Sequence, residues 1–482
     1  MIDFRPLLFI TGLLMAALAA MMLIPAALDW ATGDSNWQEF LGAAFLTGFV
    51  GVGLSLSNRV TFLEVGVRQM FVLTAMIWLV IATFGALPLY FSDLGLSYTD
   101  AFFEAMSGIT TTGSTVISGL DSAPVGVLLW RALLQWLGGI GIIVMAIAVL
   151  PALQVGGMQL FRMESFEPSE KAFPRVAQLA VGITSIYVVL TAVCAASLWV
   201  AGMTRFESIA HSMTTIATGG FSTSDQSIGH FNSSSIDWIV VVFMILGSLP
   251  FVLYLEAIRG RAHALWKDSQ VQWFLAIIAF CAIAIALWQV LANDVTPYES
   301  LRRSTFNVIS IITGTGFSTA DYYLWGSFAV TCFFLFMFIG GCAGSTSCGI
   351  KIFRFQVLVG AVRGQMNKIW QPHGVFVPYY NRRPLPDSVV DAVMNFVFVF
   401  ALVFALLALG LSALGLDFIT SVSGAATALS NVGPALGDII GPSGTFMPLP
   451  DAAKWLLSLG MLLGRLELFT ILVLFWPAFW RA

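Results

Sequence analysis

Charge is what this sequence has least of: Asp, Glu, Lys and Arg make up only 10% of its 482 residues, where soluble domains carry about a quarter. With 58% hydrophobic side chains, that deficit excludes one large water-soluble domain. Histidine is scarcer still, at four residues, and the five cysteines (Cys194, Cys281, Cys332, Cys342, Cys348) lie in or beside apolar segments without metal-ligand spacing. Neither a disulfide framework nor a zinc site follows. Ser and Thr are plentiful, but no histidine or carboxylate recurs beside them in a spacing that would activate a nucleophile, which argues against a membrane hydrolase or transferase. A formal net charge of −4 says little about partners, and no nucleic-acid partner is expected.

Long apolar runs are what the sequence has instead. Full membrane spans read at 7–28, 38–57, 70–92, 123–150, 176–202, 236–258, 270–292, 327–362, 388–414 and 450–478. The first is too long for a signal-peptide core, and Asp3 cancels the charge of Arg5, so it reads as a retained helix. Four intervening segments, 97–118, 204–225, 297–319 and 416–437, are moderately apolar, too short to cross, and closed by Gly with Thr or Ser. They read as re-entrant half-helices that return as extended chain.

The basic residues orient this arrangement. Sixteen of the twenty-two fall on one side: Arg5, Arg59, Arg68, Arg162, Lys171, Arg175, Arg259, Arg261, Lys267, Lys351, Arg354, Arg363, Lys368, Arg382, Arg383 and Arg481. The other six (Arg131, Arg205, Arg302, Arg303, Lys454, Arg465) belong to re-entrant regions, their flanks or span interiors. Short loops rich in Lys and Arg lie in the cytoplasm, so both termini are expected there and the re-entrant mouths face outward.

Alignment of the four re-entrant segments exposes an internal repeat. They read Ser107-Gly108-Ile109-Thr110-Thr111-Thr112-Gly113-Ser114, Thr214-Thr215-Ile216-Ala217-Thr218-Gly219-Gly220-Phe221, Ser310-Ile311-Ile312-Thr313-Gly314-Thr315-Gly316-Phe317 and Thr427-Ala428-Leu429-Ser430-Asn431-Val432-Gly433-Pro434. Gly113, Gly220, Gly316 and Gly433 share one register, and the preceding half-helices carry Glu104, Glu207, Glu299 and Asp417, read as complements to the helix dipole. Irregular backbone at membrane depth is tolerated only where it is buried in protein or lines a water-filled cavity. Four copies around one axis would line a pore, whose Gly/Thr carbonyls supply the oxygens that a cation needs on shedding water. The expected fold is an all-α membrane protein with ten transmembrane helices and four re-entrant half-helices, in four pseudo-symmetric repeats around a central ion pore. Residues 1–66 hold two helices outside the repeats, and the repeats occupy 67–155, 156–262, 263–380 and 381–482.

With these segments the chain resembles the TrkH/TrkG/KtrB superfamily of microbial potassium transporters over almost its whole length. Thr110-Thr111-Thr112-Gly113, Thr218-Gly219-Gly220, Thr313-Gly314-Thr315-Gly316 and Ser430-Asn431-Val432-Gly433 look like the four filter segments of that family, and the two extra N-terminal spans resemble those of TrkH and TrkG. The resemblance implies K+ as the transported ion, bound at the filter, and no covalently bound cofactor. It also implies a bacterial inner-membrane location, a homodimer, and a cytoplasmic TrkA-like ring that alone binds nucleotide. The segments depart from a Thr-Val-Gly-Tyr-Gly filter, most of all at Asn431 and Val432.

The span 327–362 is interrupted by Gly340-Gly341-Cys342-Ala343-Gly344-Ser345-Thr346-Ser347-Cys348-Gly349-Ile350-Lys351, a run whose glycines disfavour continuous helix. It reads as a broken helix with a loop beneath the filter, and the resemblance implies that this loop gates. Arg465, in the middle of the last expected span, should face the pore or pair with a carboxylate, since a charge facing lipid costs at least ~2.5 kcal/mol. Glu467 points elsewhere on a continuous helix and is not its expected partner. Glu256 reads as a terminal charge and His211 as structural. The rival transport mechanism is a proton- or sodium-coupled symporter with alternating access, which would need intramembrane carboxylates.

Overall fold

Residues 3–59, 65–148, 172–381 and 383–481 are described by the computed structural model of the chain. Arg162, Lys171, Arg382, the end of the span expected at 123–150 and the repeat boundary at 155/156 lie outside the described residues. The described chain is nearly all helical, its β pairing being the two-residue ladder of Tyr379–Tyr380 with Arg383–Pro384 and an isolated bridge between Ile339 and Ile350.

Among the described residues, seven helices are long and apolar enough to cross a membrane: Arg5–Thr32, Trp37–Ser57, Val67–Phe91, Val125–Ala146, Gln178–Val200, Ser269–Asn293 and Asp387–Ala413. Two spans expected to be continuous are sharply bent. Ser234–Gly247 turns by 91° into Phe251–Arg261, and Asp451–Arg465 turns by 113° into Leu468–Phe475. At the first bend Pro250 lacks the amide that would continue the ladder. At the second, Glu467 adopts φ 62, a left-handed conformation that no helix interior accepts. Arg465 is therefore the last residue of a helix, not the middle of a span. The expected break in 327–362 separates Ser327–Phe336 from Ile352–Trp370.

The four half-helices are Tyr98–Ile109, Arg205–Ile216, Pro297–Ile312 and Phe418–Ser430. Their starts are written in the sequence. Ser97 and Asp417 accept the amides of Asp100 (3.1 Å) and Thr420 (3.1 Å), Thr204 and Glu207 form a reciprocal capping box, and Pro297 takes the first turn of the third. In the first half-helix the acid of the first turn is Asp100 rather than Glu104, which lies a turn deeper and is fully buried.

After each of three half-helices the next helix brings a glycine against its C-terminal end. A Cβ on Gly138, Gly247 or Gly464 would collide with the carbonyl of Ile109, Ile216 or Leu429 respectively. Small residues let the backbones approach, which is how helices pack where lipid removes the hydrophobic driving force. The N-terminal pair packs likewise through Gly12 and Gly51. It is tied to the repeats by Asp29, whose Oδ1 accepts the Gly126 amide at 2.6 Å near the start of Val125–Ala148. Phe45, Phe49, Phe280, Leu291 and Phe398 point outward, as lipid-facing side chains do.

Candidate ion pathway

The four half-helices end in one and the same backbone figure. The amides of Thr112, Gly219, Thr315 and Val432 reach back to the carbonyls of Ser107, Thr214, Ser310 and Thr427 at 2.8, 2.9, 2.9 and 3.1 Å. Those of Thr111, Thr218, Gly314 and Asn431 reach back to Gly108, Thr215, Ile311 and Ala428 at 2.9, 3.0, 3.0 and 3.4 Å. This pair of bonds is a Schellman closure, which requires a left-handed residue at its turn. Thr111, Thr218, Gly314 and Asn431 supply it with φ of 52, 50, 72 and 51. Two of these are β-branched threonines, for which that conformation is strained. The structure compensates with side-chain contacts: Thr218 Oγ1 donates to Ala217 O at 2.8 Å and lies 3.2 Å from Thr346 Oγ1, and Thr111 Oγ1 lies 3.7 Å from Cys348 Sγ.

Two residues beyond each turn stands the shared glycine, with φ of 88, 79, 82 and 106 at Gly113, Gly220, Gly316 and Gly433. Each also lacks room for a side chain. A Cβ on Gly113 would strike the carbonyl of Gly219, one on Gly220 that of Thr315, one on Gly316 that of Val432, and one on Gly433 that of Thr112. The contacts run from repeat one to two, three, four and back to one, always from the glycine to the carbonyl just before the next repeat's glycine. The four segments thus form a closed ring in chain order. Thr110, Thr313 and Ser430 sit at the half-helix ends behind it, all fully buried, with Thr110 and Thr313 at 2.8 and 2.7 Å from the hydroxyls of Thr112 and Thr315. Asn431 Nδ2 donates to Thr112 Oγ1 (2.9 Å) and Met461 O (2.8 Å).

On one side of the ring opens a vestibule of about 270 Å³, lined in part by all four ring glycines, Arg131 and Asp225. Asp225 accepts the amides of Gly119 (2.8 Å) and Leu120 (3.0 Å), and hydrogen bonding from Ser224 holds the neighbouring Asp121 carboxyl below its usual value, so that it is anionic at neutral pH. On the other side a cavity of about 40 Å³, room for only a few waters, is lined by Gly344, Ser345, Ser347, Cys348 and Gly349 of the loop, with Lys351 and Arg465.

That loop is firmly held. Thr346 Oγ1 donates to Ile216 O (2.9 Å) and Gly247 O (2.8 Å), and Ser347 Oγ to Thr313 O (2.6 Å), so its hydroxyls reach the carbonyl ends of the second and third half-helices. Gly340 pairs with Ile350 (2.9 Å), the Gly341 amide donates to Ser347 Oγ (2.8 Å), Ser345 Oγ to Cys342 O (2.6 Å), and Lys351 Nζ to Ser347 O. Gly344 and Gly349, at φ 75 and 72, make its turns. The bend at 247–251 fastens it from outside, with Cys342 N to Ser248 O at 3.1 Å and Phe251 N to Gly344 O at 3.0 Å. Arg465, 3% exposed, donates to Thr346 O (3.3 Å), Gly138 O (3.0 Å) and Cys348 Sγ. Among the described residues it has no carboxylate partner; Glu467 instead pairs with Arg354 at 2.6 Å. Every residue expected for the loop is thus gathered with Arg465 at one place.

Three side chains that the sequence did not single out for this site brace the ring. Arg131 binds Glu104 (2.8 Å), Ser222 O (2.9 Å) and Thr115 Oγ1 (3.2 Å) and lies over the Phe221 ring, while Glu104 accepts the Val116 amide (2.9 Å). Gln135 holds the second segment through Gly219 and Phe221. The available signal was a charge and an amide inside an apolar span, which mark function by their cost. His211, fully buried, joins Glu207 O (2.9 Å) to Ser222 Oγ (3.0 Å) and is structural.

Residues 37–481 match the family model TrkH, described as a cation transport protein. The chain is 46% identical over 480 residues to the Trk system potassium uptake protein TrkI of Halomonas elongata, covering 99% of this chain and 97% of that protein. It is 39% identical over 487 residues to the Trk system potassium uptake protein TrkH of Vibrio parahaemolyticus, covering 100% of both. The crystal structure of the potassium transporter TrkH from Vibrio parahaemolyticus matches with a TM-score of 0.92 at 38% identity, over 100% of each chain.

Proposed function

The chain belongs to the TrkH family of cation transport proteins, and on that premise we propose that it takes up potassium across the bacterial inner membrane through the ring at Gly113, Gly220, Gly316 and Gly433. The observation that carries this reading is the cyclic glycine-to-carbonyl contact between successive repeats. Within it, the carbonyls of Thr110 to Thr112, Thr218 and Gly219, Thr313 to Thr315 and Ser430 to Val432 replace the water shell of K+, and the glycines allow four backbones to close on one ion. Four repeats, at 67–155, 156–262, 263–380 and 381–482, build the pore around the ring, and residues 1–66 flank it.

The loop at 340–351 and Arg465 form the gate. Arg465 places a guanidinium in the cavity under the ring, where it repels a cation and holds the loop through Thr346 and Cys348. Opening requires the loop to leave the carbonyls of Ile216 and Thr313, and the bend at Gly247 to Phe251 is the element through which a cytoplasmic partner acts. That partner is a TrkA-like nucleotide-binding ring, working on a homodimer of this chain whose termini lie in the cytoplasm. Flux into proteoliposomes as a function of K+, with and without imposed proton or sodium gradients, tests the reading. A flux that follows the K+ gradient alone supports a gated pore; obligatory dependence on a second ion would replace it with a coupled symporter.

A further inference from the structure

Gln135 lies fully buried within the helix Val125–Ala148, and its amide clasps the second filter segment. Nε2 donates to Gly219 O at 2.6 Å and Oε1 accepts the Phe221 amide at 3.0 Å. Gly219 O is one of the four carbonyls that meet the ring glycines, here Gly113. Among the described residues, the equivalent carbonyls of Thr112, Thr315 and Val432 accept no hydrogen bond. The same amide explains a departure in the repeat: where the other segments carry Thr112, Thr315 and Val432, the second carries Gly219. A Cβ there would lie 2.5 Å from Gln135 Oε1 and 2.9 Å from Nε2, so the amide occupies the space of the missing side chain.

We infer that Gln135 is a specificity-determining residue of the pore, which makes a ring of four similar backbones electrostatically unequal by engaging one carbonyl and leaving three free. The inference rests on the filter reading above. Discrimination between K+ and Na+ depends on the number, field and freedom of the coordinating carbonyls. An amide that shares the Gly219 oxygen weakens its pull on an ion and fixes its position; without it the segment gains freedom to close around a smaller ion.

The test is the ratio of K+ to Na+ uptake per folded molecule in proteoliposomes, measured with the thermal midpoint, for Gln135→Leu, Gly219→Ala and the double variant. Gln135→Leu removes the amide at similar volume, and Gly219→Ala displaces it while leaving every hydrogen-bonding atom in the chain. Each single change is expected to lower the ratio about fivefold, the worth of one hydrogen bond, and the double no further, because both break the same contact. An unchanged ratio in both single variants, or effects that multiply in the double, overturns the inference. Should Gln135→Leu fail to fold, Gly219→Ala decides alone. A wild-type chain that does not discriminate sinks the filter reading itself, and this inference with it.

Discussion

Replacing Gly316 by Ala separates two costs that the structure places on one residue. Its φ of 82 makes any L side chain pay about 1–2 kcal/mol. Its Cβ would in addition meet Val432 O, with Pro434 Cδ at 2.8 Å, where carbon contacts settle at about 3.5 Å or more. The third and fourth segments must then part by nearly 1 Å. Gly119 provides the control, since its φ of 75 carries the same backbone cost but its Cβ would find nothing nearer than Ser122 Oγ at 3.8 Å. Both variants should lose similar stability from strain, but Gly316→Ala alone should lower the K+/Na+ uptake ratio, by about tenfold if ~1.4 kcal/mol of preference is lost. The assay is isotopic uptake per folded molecule in proteoliposomes, with thermal midpoints for both. An unaltered ratio in folded Gly316→Ala, or an equal loss in Gly119→Ala, refutes the argument from cross-repeat contact.

Arg465→Ala should raise flux: a cation about 5 Å from the guanidinium is repelled by roughly 3 kcal/mol at an effective dielectric near 20, or about two decades in rate. Lower thermal stability with unchanged flux per folded molecule would make Arg465 structural instead. Thr346→Val removes the hydroxyl shared by Ile216 O and Gly247 O and should raise basal flux with a loss of about 1 kcal/mol in stability, while deletion of Gly344 to Cys348 raises flux further; flux that falls or stays level in both would leave the loop as packing only. Glu104→Gln should cut the folded yield, because it strands Arg131 at a cost of about 3–5 kcal/mol, and Glu104→Leu with Arg131→Met should recover most of it, as purification and melting curves would show.

The ring was legible in the sequence because its requirement is local and repeated: glycine is the residue that tolerates both the φ of 79 to 106 and a neighbour's carbonyl at the Cβ position, so one register marks all four segments. Half-helix starts were legible at Thr204 and Asp417, where capping residues are written plainly. Glu104 misled, because an acid near a helix start serves the dipole in most contexts, whereas here its partner is Arg131 on another helix, which spacing does not reveal. The bends after Gly247 and Arg465 were hidden because an apolar run continues across each of them and reaches membrane length only when the segments on both sides are taken together. Hydropathy records solvent preference and carries no mark of a backbone break such as the one at Glu467, while the sign at the first bend, Pro250, stands among apolar neighbours. On a continuous span Arg465 would stand at mid-span, facing the pore or paired with a carboxylate; it stands at a helix end, lines the cavity beneath the ring and meets carbonyls and a thiol, acceptors that every residue or any cysteine can offer and that leave no charge pattern to read. Gln135 was legible only as an amide inside an apolar span, since its partners, main-chain atoms of Gly219 and Phe221, leave no pattern to read.

Whether this ring passes K+ in preference to Na+ is decided by uptake of isotopic K+ or Rb+ into proteoliposomes of the purified chain, with Na+ as competitor. Uptake should be suppressed by an equal concentration of unlabelled K+, left largely intact by an equal concentration of Na+, and made sensitive to Na+ by Gly316→Ala. Uptake suppressed equally by K+ and Na+ in the wild-type chain, or no uptake above protein-free vesicles with the gate opened by Arg465→Ala, would contradict K+-selective passage through this ring.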